Sequence, residues 1–236
     1  MARRALVVGI DGYPCRPLRT CCNDAAHMAS VLGLNADESL NWIVDSLLAR
    51  DHRAPVVTRS DLLRELSELL TAEDDDVLFY FSGHAIRTPW GPELATQDGL
   101  RPGAGMSFSS LMTMINTSPA HSITVILDCC YSGDLGTELP GEGLGLADQD
   151  RSVLREDVVI LASARPNGNS EPAGELSVFT DLLVDGLLGG ACDQRGRVTA
   201  LGLYAHAWSA MMGSNAKPQF KANCAALPIL RTSEAW

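Results

Sequence analysis

"DDVLFYFSGHAIRT", Asp75 to Thr88, runs from two carboxylates through an unbroken apolar stretch and stops on Ser82, Gly83 and His84. The run is too short and too aromatic for a helix, and it lacks the polar alternation of a half-exposed strand. It therefore reads as a parallel strand buried on both faces. "ALVVGI" (5–10), "ITVILD" (123–128) and "VVILAS" (158–163) have the same character. Between these runs the apolar residues recur at helical spacing, in "NDAAHMASVLG" (23–33), "SDLLRELSELL" (60–70), "SFSSLMTMINT" (107–117) and "FTDLLVDGLLG" (179–189). Ser60, Ser107 and Thr180 or its neighbours sit where N-caps belong, and Gly33 and Gly189 sit where helices stop. Strands alternating with helices predict a doubly wound α/β sandwich with a mostly parallel sheet. "WIVDSLLAR" (42–50) is expected to hold a fifth strand and "ALPIL" (226–230) to close an edge.

Two stretches read as long loops, 86–105 after the histidine and 133–157 after a pair of cysteines. Both follow carboxyl ends of strands, where open parallel sheets bind ligands. The acidic run at 73–76 reads as a solvated turn before a strand.

With 236 residues, 46% of them apolar, the chain can bury one large core, and a single domain over 1–236 is expected. Its 18 basic against 29 acidic residues, net −11, argue against a phosphate-tracking surface and favour basic or neutral partners over nucleic acid. The seven cysteines form no C-x-x-C pair, and Cys21–Cys22 and Cys129–Cys130 are vicinal, a spacing that rarely bridges. Reduced thiols and a cytoplasmic location are expected. The amino-terminal apolar run is too short for a signal-peptide core, and none approaches the ~18 residues that a membrane span needs.

"ITVILDCCYSGDLG", Ile123 to Gly136, ends its strand on Cys129 and Cys130. His84 and Cys130 thus leave the same kind of strand end, where a nucleophile and a base could meet. A free thiol is only a few per cent thiolate at neutral pH, so a cysteine nucleophile needs an imidazole to take its proton and return it to the leaving amine. Taken singly, a strand-end histidine is more often structural and a buried cysteine more often core.

"FYFSGHA" followed by "DCCYSG" resembles the metacaspases and prokaryotic caspase-like peptidases, whose patterns are F-x-F-S-G-H-G and D-x-C-[HY]-S-G. The histidine also precedes the cysteine by roughly the 50 residues of mammalian caspases. "ALVVGIDGY", "CCNDAAHMASVLG" and "VFTDLLVDGLLGGACDQRGRVTALGLYAHAW" extend the likeness over most of the chain. The resemblance implies a caspase-like three-layer α/β/α sandwich. It divides the chain into a large-subunit-like region of about 1–135, a linker of about 136–157 and a small-subunit-like region of about 158–236. It further implies a cysteine endopeptidase with catalytic His84 and Cys130, acting as a monomer on protein or peptide substrates. Cys129 fills the variable position, and since neighbouring residues on a strand face opposite ways, it is expected to pack inside.

In the metacaspase branch two carboxylates receive an Arg or Lys side chain before the scissile bond, and here Asp24 of "CCNDAAH" and Asp128 of "DCCYSG" match them. Asp24 would equally suit a helix start, and Asp128 a strand-end acid bonded to local backbone. Arg16 and Arg19 lie outside the motif that lets mammalian caspases cut after aspartate. Ser163 of "LASA" resembles a pocket-lining position. The family's oxyanion donors are backbone amides, matching Cys130 and Ala85. Alanine departs from the family's glycine there, and it would resist a left-handed backbone. That departure leaves open a catalytically weak or inactive interaction domain.

In the long loop Arg151 and Arg155 are candidate self-cleavage sites, Arg151 the better, although both would also suit a solvated turn. No cofactor is expected in the chemistry and no metal site is assigned. Calcium activation would have to use acids such as Asp98, Asp134, Asp148 and Asp150, whose spacing resembles no dedicated calcium loop. The resemblance extends to bacterial effectors of stress or defence.

Overall fold

The computed structural model describes residues 2–53, 56–73, 75–98, 101–129, 154–163, 174–213 and 217–232. Its central sheet has six strands. They are β1 (Arg3–Ile10), β2 (Ile43–Ala49), β3 (Asp76–Gly83), β7 (Ser122–Cys129), β8 (Val158–Ala162) and β10 (Gln219–Asn223), in the order β10-β8-β7-β3-β1-β2. All pairings are parallel except β10 with β8. The four predicted apolar runs form the four inner strands, because only positions covered on both faces favour unbroken apolar sequence. Residues 42–50 supply edge strand β2, as expected.

Period-two alternation divides these strands between two cores. Leu6, Val8 and Ile10 of β1, Phe79 and Phe81 of β3, and Val125 and Leu127 of β7 face α2 (Arg59–Leu70) and α3 (Phe108–Thr117). Ala5, Val7, Leu78, Tyr80 and Ile126 face α1 (Cys21–Gly33), α4 (Val178–Asp185) and α5 (Ala200–Ala210). The chain is thus the α/β/α sandwich that the alternation of elements predicts. Leu62, Leu66, Leu69 and Leu70 make the buried stripe of α2, each worth roughly 1.5–3 kcal/mol on burial. Gly9 lets α1 approach β1, since a Cβ there would lie 2.3 Å from the Cys21 carbonyl oxygen.

Four details differ from the sequence reading. The first stretch read as a loop, 86–105, contains β4 (Ala85–Thr88) and β5 (Gly91–Leu94), an antiparallel hairpin extended by β6 (Met106–Ser107). Its glycines and prolines obscure strands only four residues long. The carboxyl-terminal apolar run forms β11 (Ile229–Thr232), which pairs with β9 (Arg197–Thr199) and not with the main sheet. The edge belongs instead to β10, whose polar sequence "QFKAN" carries little strand signal. The N-caps of α2 and α4 are Thr58 and Ser177 rather than Ser60 and Thr180, and α4 gives way to a π-helical turn at Gly186–Gly190 with Gly189 at φ 134. The linker read at 136–157 lies outside the described residues except for 154–157.

Candidate active site

Because β1, β3, β7 and β8 run parallel, Ile10, Gly83, Cys129 and Ala162 all end at one edge of the sheet. The register there is explicit: Ser82 pairs with Asp128 and Gly83 with Cys129. His84 is the next residue after β3. Cys130, the next after β7, lies outside the described residues, as do Arg151, Asp134, Asp148 and Asp150. Cys129 is fully buried in the α2/α3 core, as side-chain alternation predicts.

The imidazole of His84 is held by the loop between β1 and α1. Its Nε2 lies 2.7 Å from the Arg16 carbonyl oxygen. A carbonyl only accepts, so Nε2 carries the hydrogen and Nδ1 is the basic nitrogen of the neutral ring. Arg16 adopts φ 60, a left-handed backbone costing a non-glycine residue on the order of 1–2 kcal/mol. Asp11 organises the same loop, accepting the Cys21 and Cys22 amide hydrogens at 2.8 and 3.1 Å. It thereby satisfies the start of α1, a role that the sequence suggested for Asn23 or Asp24.

Asp24 and Asp128 are brought together on the α1/α4 side of the sheet, both fully buried. Ser82 Oγ donates to Asp24 Oδ2 at 2.9 Å, and the Ser177 amide donates to Asp24 Oδ1 at 2.8 Å. Ser177 Oγ also donates to Asp128 Oδ2, and Thr180 Oγ1 donates to the same oxygen at 2.9 Å. Thr180 Oγ1 lies 2.6 Å from the Tyr80 hydroxyl. With its own hydrogen given to Asp128, Thr180 takes that of Tyr80. Burial, and then the charges of Asp128 and Asp24, push the Tyr80 phenol well above its ordinary value, so it remains a donor. One residue, Ser177, thus touches both carboxylates, and neither acid acts as an N-cap.

Ser163 is buried beside this edge; its amide donates to Leu127 O at 2.8 Å and its hydroxyl lies 3.5 Å from Cys129 O. Ala85 begins β4 and is not among the described residues with positive φ, so alanine meets no left-handed strain. Arg155 is drawn into the fold: its side chain donates to the carbonyls of Ile115, Ala120 and Glu156, and its amide to Asn116 Oδ1. Asp98 accepts the Arg59 amide at the start of α2 and the Thr96 hydroxyl. No three His, Cys, Asp or Glu side chains among the described residues are placed to hold a metal ion. No helix among them is long and apolar enough to cross a membrane.

The sequence does not mark Tyr13, Arg16, Ser82, Ser177 or Thr180 as site residues, although Arg16 stands out there as a base outside the motif and Thr180 as an N-cap position. Ser82 was open to detection, because period two along "YFSGH" aligns Tyr80 with it. Ser177 could be read from S-x-x-T as an N-cap, though not as a partner of two acids. Arg16 acts through its main chain, which leaves no signature in residue type.

Residues 2–224 match the family described as Caspase domain. The chain belongs to the caspase domain family. The family is one of cysteine peptidases, and the chain has its fold. The crystal structure of the Drosophila initiator caspase Dronc matches with a TM-score of 0.62 at 10% identity, covering 98% of this chain and 82% of that one. At that identity the likeness speaks for the caspase fold. No curated protein matches the chain in sequence.

Proposed function

We propose that this caspase-family chain is an endopeptidase in which Cys130 is the nucleophile and His84 its base, cutting after Arg or Lys. The observation that carries the reading is the β3/β7 register, Gly83 opposite Cys129, which makes His84 and Cys130 the next residues of adjacent parallel strands. His84 Nδ1 takes the thiol proton, and the thiolate adds to the scissile carbonyl. The imidazolium returns the proton to the departing amine, and water then hydrolyses the thioacyl bond with the same histidine as base. The amides of Cys130 and Ala85 serve the developing oxyanion. Asp24 and Asp128 receive the substrate cation, and a guanidinium suits paired carboxylates best because it donates in a fork. The chemistry uses no cofactor, and the substrate is a protein or peptide strand.

Fluorogenic peptides ending in Arg, Lys or Asp, offered to wild type, Cys130→Ala and His84→Ala, test the reading. Cleavage of the Arg and Lys peptides by wild type alone is expected. Turnover by Cys130→Ala, or preference for the Asp peptide, would overturn it.

A further inference from the structure

We propose that Tyr13 is a positioning residue for His84, fixing the main chain of the histidine through its hydroxyl and the imidazole through its ring. The proposal rests on the reading of His84 and Cys130 as a dyad. The Tyr13 hydroxyl accepts the His84 amide hydrogen at 3.0 Å and donates its own to Ala95 O at 3.1 Å. The Ala95 amide donates in turn to His84 O at 2.9 Å. The N–H and C=O of His84 are therefore both closed into one circuit through Tyr13 and Ala95. The two rings pack with centroids 4.7 Å apart at 53°, so the phenol ring limits rotation of the imidazole that Arg16 holds at Nε2.

Two features make this circuit stiff. Gly83 admits the phenol, since a Cβ at that position would lie 2.6 Å from its oxygen. The glycine of "FSGH" is thereby explained by contact with Tyr13. The Tyr13 loop is in turn clamped by buried Gln97, which donates to Gly12 O at 2.6 Å and Asp51 O at 2.8 Å and accepts the Val57 amide at 2.7 Å. Burial raises the Tyr13 phenol well above its ordinary value, so the hydroxyl stays protonated and keeps its donor role.

Loss of the hydroxyl leaves the His84 amide and the Ala95 carbonyl without this partner, and the main chain at His84 and Ala85 moves to recover one. Small displacements of a proton-transfer group and an oxyanion donor lower the chemical step more than substrate binding. Asp24 and Asp128 are held by other residues, so KM is spared.

Tyr13→Phe keeps the ring and removes only the oxygen. With an Arg peptide its kcat is expected to fall about 10- to 100-fold with KM within about twofold. A second readout is the pH profile of iodoacetamide alkylation, resolved by mass spectrometry for Cys130 and for exposed Cys15. In wild type Cys130 should react at lower pH than Cys15; in Tyr13→Phe its profile should move toward that of Cys15, and in His84→Ala it should coincide with it. Leu66→Ala, in the core on α2, should lower Tm while keeping both the wild-type kcat and the Cys130 profile. A wild-type kcat or a wild-type profile in Tyr13→Phe, a rise in KM alone, or the same losses in Leu66→Ala would overturn the proposal. A wild-type profile in His84→Ala would overturn the dyad itself and the proposal with it, which separates the two failures.

Discussion

Neighbouring side chains on a strand take opposite faces, so the two members of a cysteine pair need not share a role. Cys129 is sealed in the α2/α3 core, so Cys129→Ala should cost about 1 kcal/mol in chemical denaturation and leave peptide cleavage nearly intact. Cys130→Ala should abolish cleavage without that loss. Cys22 shows how burial silences a thiol. Enclosed and donating to Gly9 O at 3.2 Å, it is pushed up to about 12, mainly by desolvation and then by Asp11. A raised thiol pKa means a neutral, unreactive group, so mass-resolved alkylation of native protein at pH 8 should modify Cys15 and spare Cys22. At the acidic pair, Asp24→Ala should lower kcat/KM on Arg peptides by at least ~10-fold, since removing one partner of a desolvated charge contact costs about 2 kcal/mol or more. An unchanged Arg-to-neutral preference in that variant would mean that Asp24 only ties α1 to Ser82 and Ser177.

Two helix starts, α2 and α4, carry similar caps but different consequences. Thr58 and Asp61 form a reciprocal capping box at α2, on the face of the sheet away from Asp24 and Asp128. Thr58→Ala should lower stability by about 1 kcal/mol and leave kcat/KM unchanged. Ser177 caps α4 by accepting the Thr180 amide at 3.0 Å while also donating to Asp128. Ser177→Ala therefore removes a cap and a partner of a buried carboxylate together, and should cost about 2 kcal/mol and lower cleavage of Arg peptides. Ser177→Thr, which retains a hydroxyl, should recover most of both. Paired thermal melts and kinetics on the four chains distinguish the two caps.

At the scale of the whole molecule, self-processing would separate the sheet strands before the long loop from β8 and the helices after it. Of the two candidate arginines, Arg155 lies among the described residues. Arg155 is bound to α3, to Ala120 between α3 and β7, and to Glu156 before β8 through four donated hydrogen bonds, and cutting there would require pulling it out of the fold. If the enzyme processes itself within this loop, intact-mass analysis should find a new terminus at Ser152, absent from Cys130→Ala, and none at Glu156. A terminus at Glu156 would show that the α3 contacts open readily.

Local sequence determined what depends on local physics. Burial on both faces makes the inner strands continuous in apolarity, so β1, β3, β7 and β8 could be read directly, and their alternation with amphipathic helices implied the layered fold. The family resemblance likewise singled out His84, Cys130, Asp24 and Asp128 as candidates, because the chemistry it implies depends on residue type. Tertiary structure alone decided the remainder. The polar sequence of β10 becomes an edge strand only through its register with β8, and β11 leaves the sheet for β9 because Arg231, Asn41 and Trp42 engage its backbone and surroundings. Arg16 serves His84 through a carbonyl that every residue possesses. Tyr13 reaches the same histidine across 71 positions of chain, a separation over which neither periodicity nor propensity carries information.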